Sequence, residues 1–207
     1  MYRSNINIIN TKRYKYFILI CICAVSFPLA QICPQEKHDN FSYIKISGSV
    51  INNQSTDALN KFWNKEKGYE GIVETPFYYG NILAGLRILS FSGKKPSYQN
   101  FSSNYYFVGW GKDFNIVNRV TLFAGFRVGG FAMSFADDSL TAYQKDETEL
   151  AAGINTKLNF QILSNIFFNV SAEYSAVFTH KRIELFLLAA GISYKFETPS
   201  WMKEFLK

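Results

Sequence analysis

The alternation of apolar and polar residues between positions 149 and 179 constrains the fold of this chain more than any other feature. From residue 150 to residue 162, every second position except Thr156 is apolar, and the same pattern resumes after residues 163–165, "LSN". An alternation of period two predicts β-strands with two different faces, and the short polar break predicts a tight turn. The stretch therefore predicts an antiparallel hairpin with one apolar face and one polar face.

Similar patterns cover nearly all of the chain beyond residue 40. The strand candidates are 41–52, 69–80, 81–93, 104–114, 120–135, 148–162, 166–179 and 183–196. Each has roughly the ten residues that a tilted strand needs to cross a bilayer. Long polar links at 53–68, 94–103 and 136–147 alternate with tight links at 80–81, 115–119 and 163–165. This layout is typical of an up-and-down barrel in a membrane, with its short turns on the periplasmic side.

The content of the polar face favours a membrane barrel over a soluble one, which would place the apolar face inside. The alternative is a soluble barrel whose charged face is solvated. Charged residues recur on the polar face, which otherwise carries many glycines and serines: Lys45, Glu70, Glu74, Arg87, Arg127, Glu149, Lys157, Glu173 and Lys195. A lone charge in a closed interior costs several kcal/mol, so the near balance of signs predicts a paired network. In the fourth strand Phe107 and Val108 cannot both face lipid, and its two faces stay ambiguous.

The first thirty residues predict an export signal. Four cations precede an apolar run at 17–30 that is interrupted by Pro28 and is too short for a spanning helix. We predict a signal peptide at 1–30 cleaved after Ala30, with cleavage after Ser26 as the alternative, and a periplasmic segment at 31–40. The formal charge of +6 owes four charges to this leader, so it does not indicate a nucleic-acid partner.

Near its C-terminus the chain carries the sequence "AGISYKF" at 190–196, and here it resembles small outer-membrane β-barrel proteins of the OmpA/OmpX type, especially those of Bacteroidetes-like bacteria. Gly191, Tyr194 and Phe196 fit the ending by which barrel-assembly machinery recognises a last strand. The resemblance implies an all-β fold, an eight-stranded antiparallel up-and-down transmembrane barrel over 41–196 with a polar, side-chain-filled interior. It also implies a monomer in the bacterial outer membrane of a Gram-negative cell.

The tail at 197–207 departs from that pattern, because the ending usually lies at the extreme C-terminus. Trp201, Phe205 and Leu206 fall on one helical face with Met202, which predicts a short interfacial anchor on the periplasmic side. A frayed tail is the alternative.

Catalysis has only a weak sequence signal. Ser175, His180 and Glu184 are close in sequence, but the pattern places Ser175 inside and His180 at a loop edge, and the histidine-x-serine pattern of barrel deacylases is absent. We therefore expect no enzyme, no cofactor and no metal site.

The expected function is a structural or surface-interaction role carried by loops 53–68, 94–103 and 136–147, with Phe62 and Trp63 as exposed aromatics. The expected partners are outer-membrane lipid, lipopolysaccharide and the assembly machinery. A narrow conduit for small hydrophobic molecules is the first alternative, and a lipid A-modifying enzyme is the less favoured one.

Overall fold

The protein folds almost entirely into antiparallel strands. The structure, a computed structural model, describes residues 40–54, 58–95, 97–135, 146–179, 182–199 and 201. The predicted signal peptide at 1–30 and residues 31–39 lie outside these ranges. No helix within them is long and apolar enough to cross a membrane. The elements are β1 (Tyr43–Asn53), α1 (Ala58–Phe62), β2 (Trp63–Lys65), β3 (Lys67–Phe77), β4 (Gly80–Gly93), β5 (Phe101–Val117), β6 (Val120–Phe135), β7 (Asp146–Gln161), β8 (Ile166–Val177) and β9 (Ile183–Glu197).

Eight of the strands in the described residues close into a ring. Its order is β1, β3, β4, β5, β6, β7, β8, β9 and back to β1, and every pairing is antiparallel. The short β2 stands apart from the ring and pairs only with the last residues of β4. The prediction of an eight-stranded antiparallel barrel is therefore confirmed.

The two ends of the barrel differ. At one end, called the turn end, the strands are joined by residues 78–79, 118–119 and 162–165. At the other, called the loop end, the connections are 54–66, 94–100, 136–145 and 178–182. Tyr78 and Arg119 have positive φ angles of 51° and 70°, which tight turns of this kind require of one residue. Pro76 is the second-last residue of β3, so its lack of an N–H coincides with the strand end.

The alternation sorts side chains between lipid and the interior. On the 149–179 hairpin Ile154 is 67% exposed, whereas Lys157 and Glu173 are buried. The structure also distinguishes the two faces of β5, which the sequence left ambiguous. Phe107 is 4% exposed and points inward, whereas Val108 is 60% exposed and points outward. The outer surface is thus apolar and the charged face lies inside.

Candidate functional site in the barrel interior and at the loop end

Four side chains form a central charge cluster midway along the interior: Glu70 of β3, Arg87 of β4, Arg127 of β6 and Glu173 of β8. Arg87 donates to Glu70 Oε2 from Nε at 2.9 Å and from NH2 at 2.5 Å. It also donates to Glu173, from NH1 to Oε1 at 2.8 Å and from NH2 to Oε2 at 2.5 Å. Arg127 NH1 lies 2.8 Å from Glu70 Oε2 and 2.7 Å from Glu173 Oε2. Each arginine therefore contacts both glutamates.

Aromatic rings support this cluster from the side of β5. The guanidinium carbon of Arg127 lies 4.5 Å from the centroid of the Phe107 ring, and that of Arg87 lies 5.4 Å from the Tyr105 centroid. A guanidinium over an aromatic face is attracted to it, and more strongly where water is excluded. The four charged side chains are at most 4% exposed. Two positive and two negative charges thus compensate one another within a buried layer.

A second group, the turn-end charge cluster, is built around Glu74 of β3. Its carboxylate accepts from Lys45 Nζ at 2.7 Å and from Lys157 Nζ at 2.5 Å. The side-chain amide of Asn81 donates to Glu74 Oε1 at 3.4 Å and to Asp113 Oδ2 at 2.7 Å. Asp113 was missed in the sequence because the two faces of its strand could not be told apart. With Asp113 ionised, this cluster also contains two cations and two anions.

Two of the nine predicted interior charges lie outside both clusters. Glu149 is half-buried near the loop end of β7. Lys195 is half-buried on β9, with its Nζ 4.2 Å from the centroid of the Tyr43 ring. The structure therefore brings seven of the predicted residues together as two groups, whereas the sequence suggested a single network.

Uncharged polar groups fill the interior beside β1, β8 and β9. Ser47 Oγ donates to Ser193 Oγ at 2.9 Å, and Asn169 Nδ2 donates to the same oxygen at 2.7 Å. Within the described part of the chain, the buried side-chain amides of Asn155 and Asn159 on β7 make no hydrogen bond to another protein group. Buried amides of this kind are ordinarily bound to ordered water.

The loop-end half of the interior is apolar, a feature that the sequence analysis did not predict. Its side chains include Ile51, Leu59, Leu89, Phe91, Phe101, Tyr105, Phe107, Phe131, Met133, Val177, Leu185 and Leu187. The sequence pattern did not reveal this apolar layer because β5 carries aromatic side chains on both faces. The buried charged side chains of the described residues therefore lie in the turn-end half and in the central charge cluster.

Between β1 and β3, the helix α1 and the strand β2 cover this apolar half. Leu59 of α1 is buried against it, and Trp63 Nε1 donates to the Gln99 carbonyl at 2.7 Å. The ring centroids of Phe62 and Tyr98 are 5.2 Å apart, and those of Trp63 and Phe101 are 5.4 Å apart. The expectation that Phe62 and Trp63 are exposed contact residues is wrong, because both are half-buried in this cover.

The predicted assembly signal lies in the half of β9 nearer the turn end. Gly191 lies on the inward face of β9. The rings of Tyr194 and Phe196 lie on the outward face, with their centroids 6.2 Å apart. Trp201 is 66% exposed, and Phe205 and Leu206 lie outside the described residues. Recognition by the assembly machinery and interfacial anchoring stay predictions.

Of the three residues considered for catalysis, the structure describes Ser175 and Glu184. Ser175 is 2% exposed inside the barrel, whereas Glu184 lies at the loop end with its Oε1 3.3 Å from Arg182 Nε. His180 falls outside the described ranges.

The closed ring of antiparallel strands has counterparts among solved structures. Neisserial surface protein A is 15% identical, with a TM-score of 0.56 over 74% of this chain and 96% of its own. Outer membrane protein H (OprH) from P. aeruginosa is 13% identical, with a TM-score of 0.52 over 74% of this chain and 99% of its own. The fold is that of the small outer-membrane β-barrels. No protein-family model and no curated sequence matches the chain.

The exterior fits that fold physically. Large apolar side chains on the outward faces, such as Tyr69 at 63% and Ile154 at 67% exposure, would be unfavourable in water and are stable in lipid. A closed ring has no unpaired strand edge, which the bilayer core does not tolerate. This small outer-membrane β-barrel therefore spans the bacterial outer membrane through its eight ring strands.

Proposed function

We propose that the protein is a structural and surface-interaction component of the outer membrane, and that its contacts are made at the loop end. The observation that carries this proposal is the closed interior. The central charge cluster fills the middle of the barrel, and the apolar loop-end half is packed above it. An eight-stranded barrel has room inside for side chains and little more, so its function lies on its outside.

The loop end offers a charged surface for such contacts. Lys61, Lys94 and Lys95 are exposed on the side of α1, and Lys94 Nζ also donates to the Asn60 carbonyl, which orders that side. Exposed cations steer association with anionic surfaces, an effect that salt weakens. The proposal is thus a cationic contact surface held by a rigid barrel.

Single-channel recording tests the closed interior. We expect purified wild-type protein in planar bilayers to give no conductance steps, because a solute would have to break the central charge cluster. Regular steps from the wild-type protein would contradict the proposal and favour the conduit.

A binding assay tests the loop surface. Cells that express the Lys61→Glu/Lys95→Glu variant should bind dextran-sulfate beads less than wild-type cells, and added salt should reduce wild-type binding. Lys112→Glu, near the turn end, is the matched control and should behave as wild type. Equal binding by all three proteins would contradict a role for the loop-end lysines.

A further inference from the structure

The outer face of the barrel has a groove where β9, β1, β3 and β4 run side by side. Gly48 of β1 and Gly71 of β3 are direct partners in the strand register, and both face outward. Neither glycine has an atom within 4 Å of the position that a Cβ would take. The missing side chains leave a groove of about 610 Å³, lined also by Val50, Tyr69, Leu86, Ile88, Ala190 and Ile192.

Towards the loop end a polar groove follows this apolar one along β4. Ile88 and Ser90 are consecutive outward residues of β4, and Ser90 belongs to a second groove of about 370 Å³ with Ser92, Asn100, Ser102 and Ser134. Ser90 pairs in register with Ser102, which pairs with Ser134, so three hydroxyl groups form a row across β4, β5 and β6. Apolar and polar grooves thus follow one another along one strand.

Charged and amide side chains lie near the boundary between the apolar groove and the polar groove. Lys67 is exposed two residues before Tyr69 on β3, and it pairs in register with the exposed Asn52 of β1. Lys95 is exposed in the connection that follows β4. The upper groove is lined by neutral donors and acceptors and by the Glu66 carboxylate, and the exposed Lys67 follows Glu66 directly in the chain. The neutral groups match sugar hydroxyls, and a cation next to the groove matches a phosphate.

The extent of the groove along the membrane normal matches the thickness of one leaflet. Gly48 precedes Asn52 by four residues, which is about 13 Å along a strand and about 10 Å of depth in a barrel whose strands tilt by about 40°. The apolar band of such barrels is about 25 Å tall, so one leaflet accounts for about 12 Å. Since short turns lie on the periplasmic side, the polar end faces the outer leaflet.

We propose that this composite groove is a binding site for one phosphorylated glycolipid of the outer leaflet. One acyl chain lies over Gly48 and Gly71, the sugar contacts the serine row, and a phosphate pairs with Lys67. This site goes beyond the loop-end contact role, because its acyl-chain part and Lys67 lie on the outward faces of β1 and β3.

Native mass spectrometry of the detergent-purified protein tests the proposal, with bis-phosphorylated lipid A as the probe. Phosphatidylglycerol serves as an anionic lipid whose headgroup lacks sugar. We expect lipid A to be retained about tenfold more strongly than phosphatidylglycerol. The Gly48→Leu/Gly71→Leu variant should lose about tenfold in lipid A retention, because leucine side chains would fill the groove and their Cβ atoms have open space at both positions.

Gly130→Leu is the matched control, since Gly130 faces outward on β6 and its Cβ would meet only Thr148 Cγ2 at 3.8 Å. It should bind lipid A as the wild-type protein does. Lys67→Gln, compared with Lys112→Gln, gives a second test that leaves the glycines intact, and only the Lys67 change should weaken binding. Equal retention of both lipids, or wild-type retention by the filled-groove and Lys67 variants, would overturn the proposal.

Discussion

Arg87 and Glu173 are joined by two hydrogen bonds of 2.8 and 2.5 Å across the full width of the barrel. Their strands, β4 and β8, are four places apart in either direction around the eight-membered ring. Glu74 of β3 and Lys157 of β7 form a second such pair of opposite strands. The barrel is therefore held by contacts through its interior as well as by hydrogen bonds around its wall.

Removal of Glu173 should destabilise the barrel strongly. Glu173→Ala leaves Arg87 and Arg127 with a single shared carboxylate in a buried layer, and breaking a buried pair costs about 3–5 kcal/mol. Urea unfolding in detergent micelles measures this loss. Glu147→Ala, at an exposed position near the loop end of β7, is the matched control and should change the unfolding free energy by less than about 0.5 kcal/mol. Equal losses in the two variants would show that Glu173 is not paired.

Arg87 and Glu173 should be energetically coupled. In a double-mutant cycle with alanine, the combined loss should be smaller than the sum of the single losses by about 0.5–3 kcal/mol. The pair Lys45 and Glu173 provides the comparison, because these residues belong to different charge clusters and their losses should add. The same unfolding measurement gives both cycles, and a coupling of Lys45 to Glu173 as large as that of Arg87 would mean that the clusters act as one.

Gly191 should be required for barrel closure itself. A Cβ at this position would overlap the Gly48 carbonyl and lie 2.7 Å from Ser49 Cα, where β9 meets β1. Gly191→Ala should therefore slow or prevent refolding from urea into detergent micelles, a reaction that needs no assembly machinery. Gly48→Ala, on the neighbouring strand but facing open space, should refold like wild type. Normal refolding of Gly191→Ala, with poor assembly only in cells, would assign the glycine to recognition alone.

Trp63 should hold the cover over the apolar half of the interior. Trp63→Ala removes the hydrogen bond to Gln99 and the contact with Phe101, so the segments at 54–66 and 94–100 should be cleaved faster by trypsin at Lys61 and Lys94. Trp110→Ala, which removes a membrane-facing indole from β5, is the control and should leave that cleavage rate unchanged. Unaltered cleavage in Trp63→Ala would mean that the cover is held by other contacts.

The closed ring should resist SDS without heating. Unheated protein should migrate differently on gels from boiled protein, because all ring strands are paired on both sides and none presents an edge. A single band position before and after boiling, together with solubility without detergent, would contradict the membrane barrel.

The sequence predicted the strands well because the bilayer demands a strict period of two on most of them. The 149–179 hairpin shows this, since lipid faces its apolar positions along nearly its whole length. Prediction failed at β5, where Tyr105 and Phe107 point inward while Tyr106 and Val108 point outward, and apolar residues on both faces erase the alternation. The separation into two charge clusters also could not be predicted, because it depends on which opposite strands meet.

The division of charge along the chain has a consequence for assembly. Without β8, the central charge cluster would hold two arginines and one glutamate. Without β7, and with Asp113 ionised, the turn-end charge cluster would hold Glu74 and Asp113 with Lys45 alone. Neither layer is then neutral. A partly built barrel would carry uncompensated charge at membrane depth, so insertion of the chain into the bilayer is expected to be cooperative.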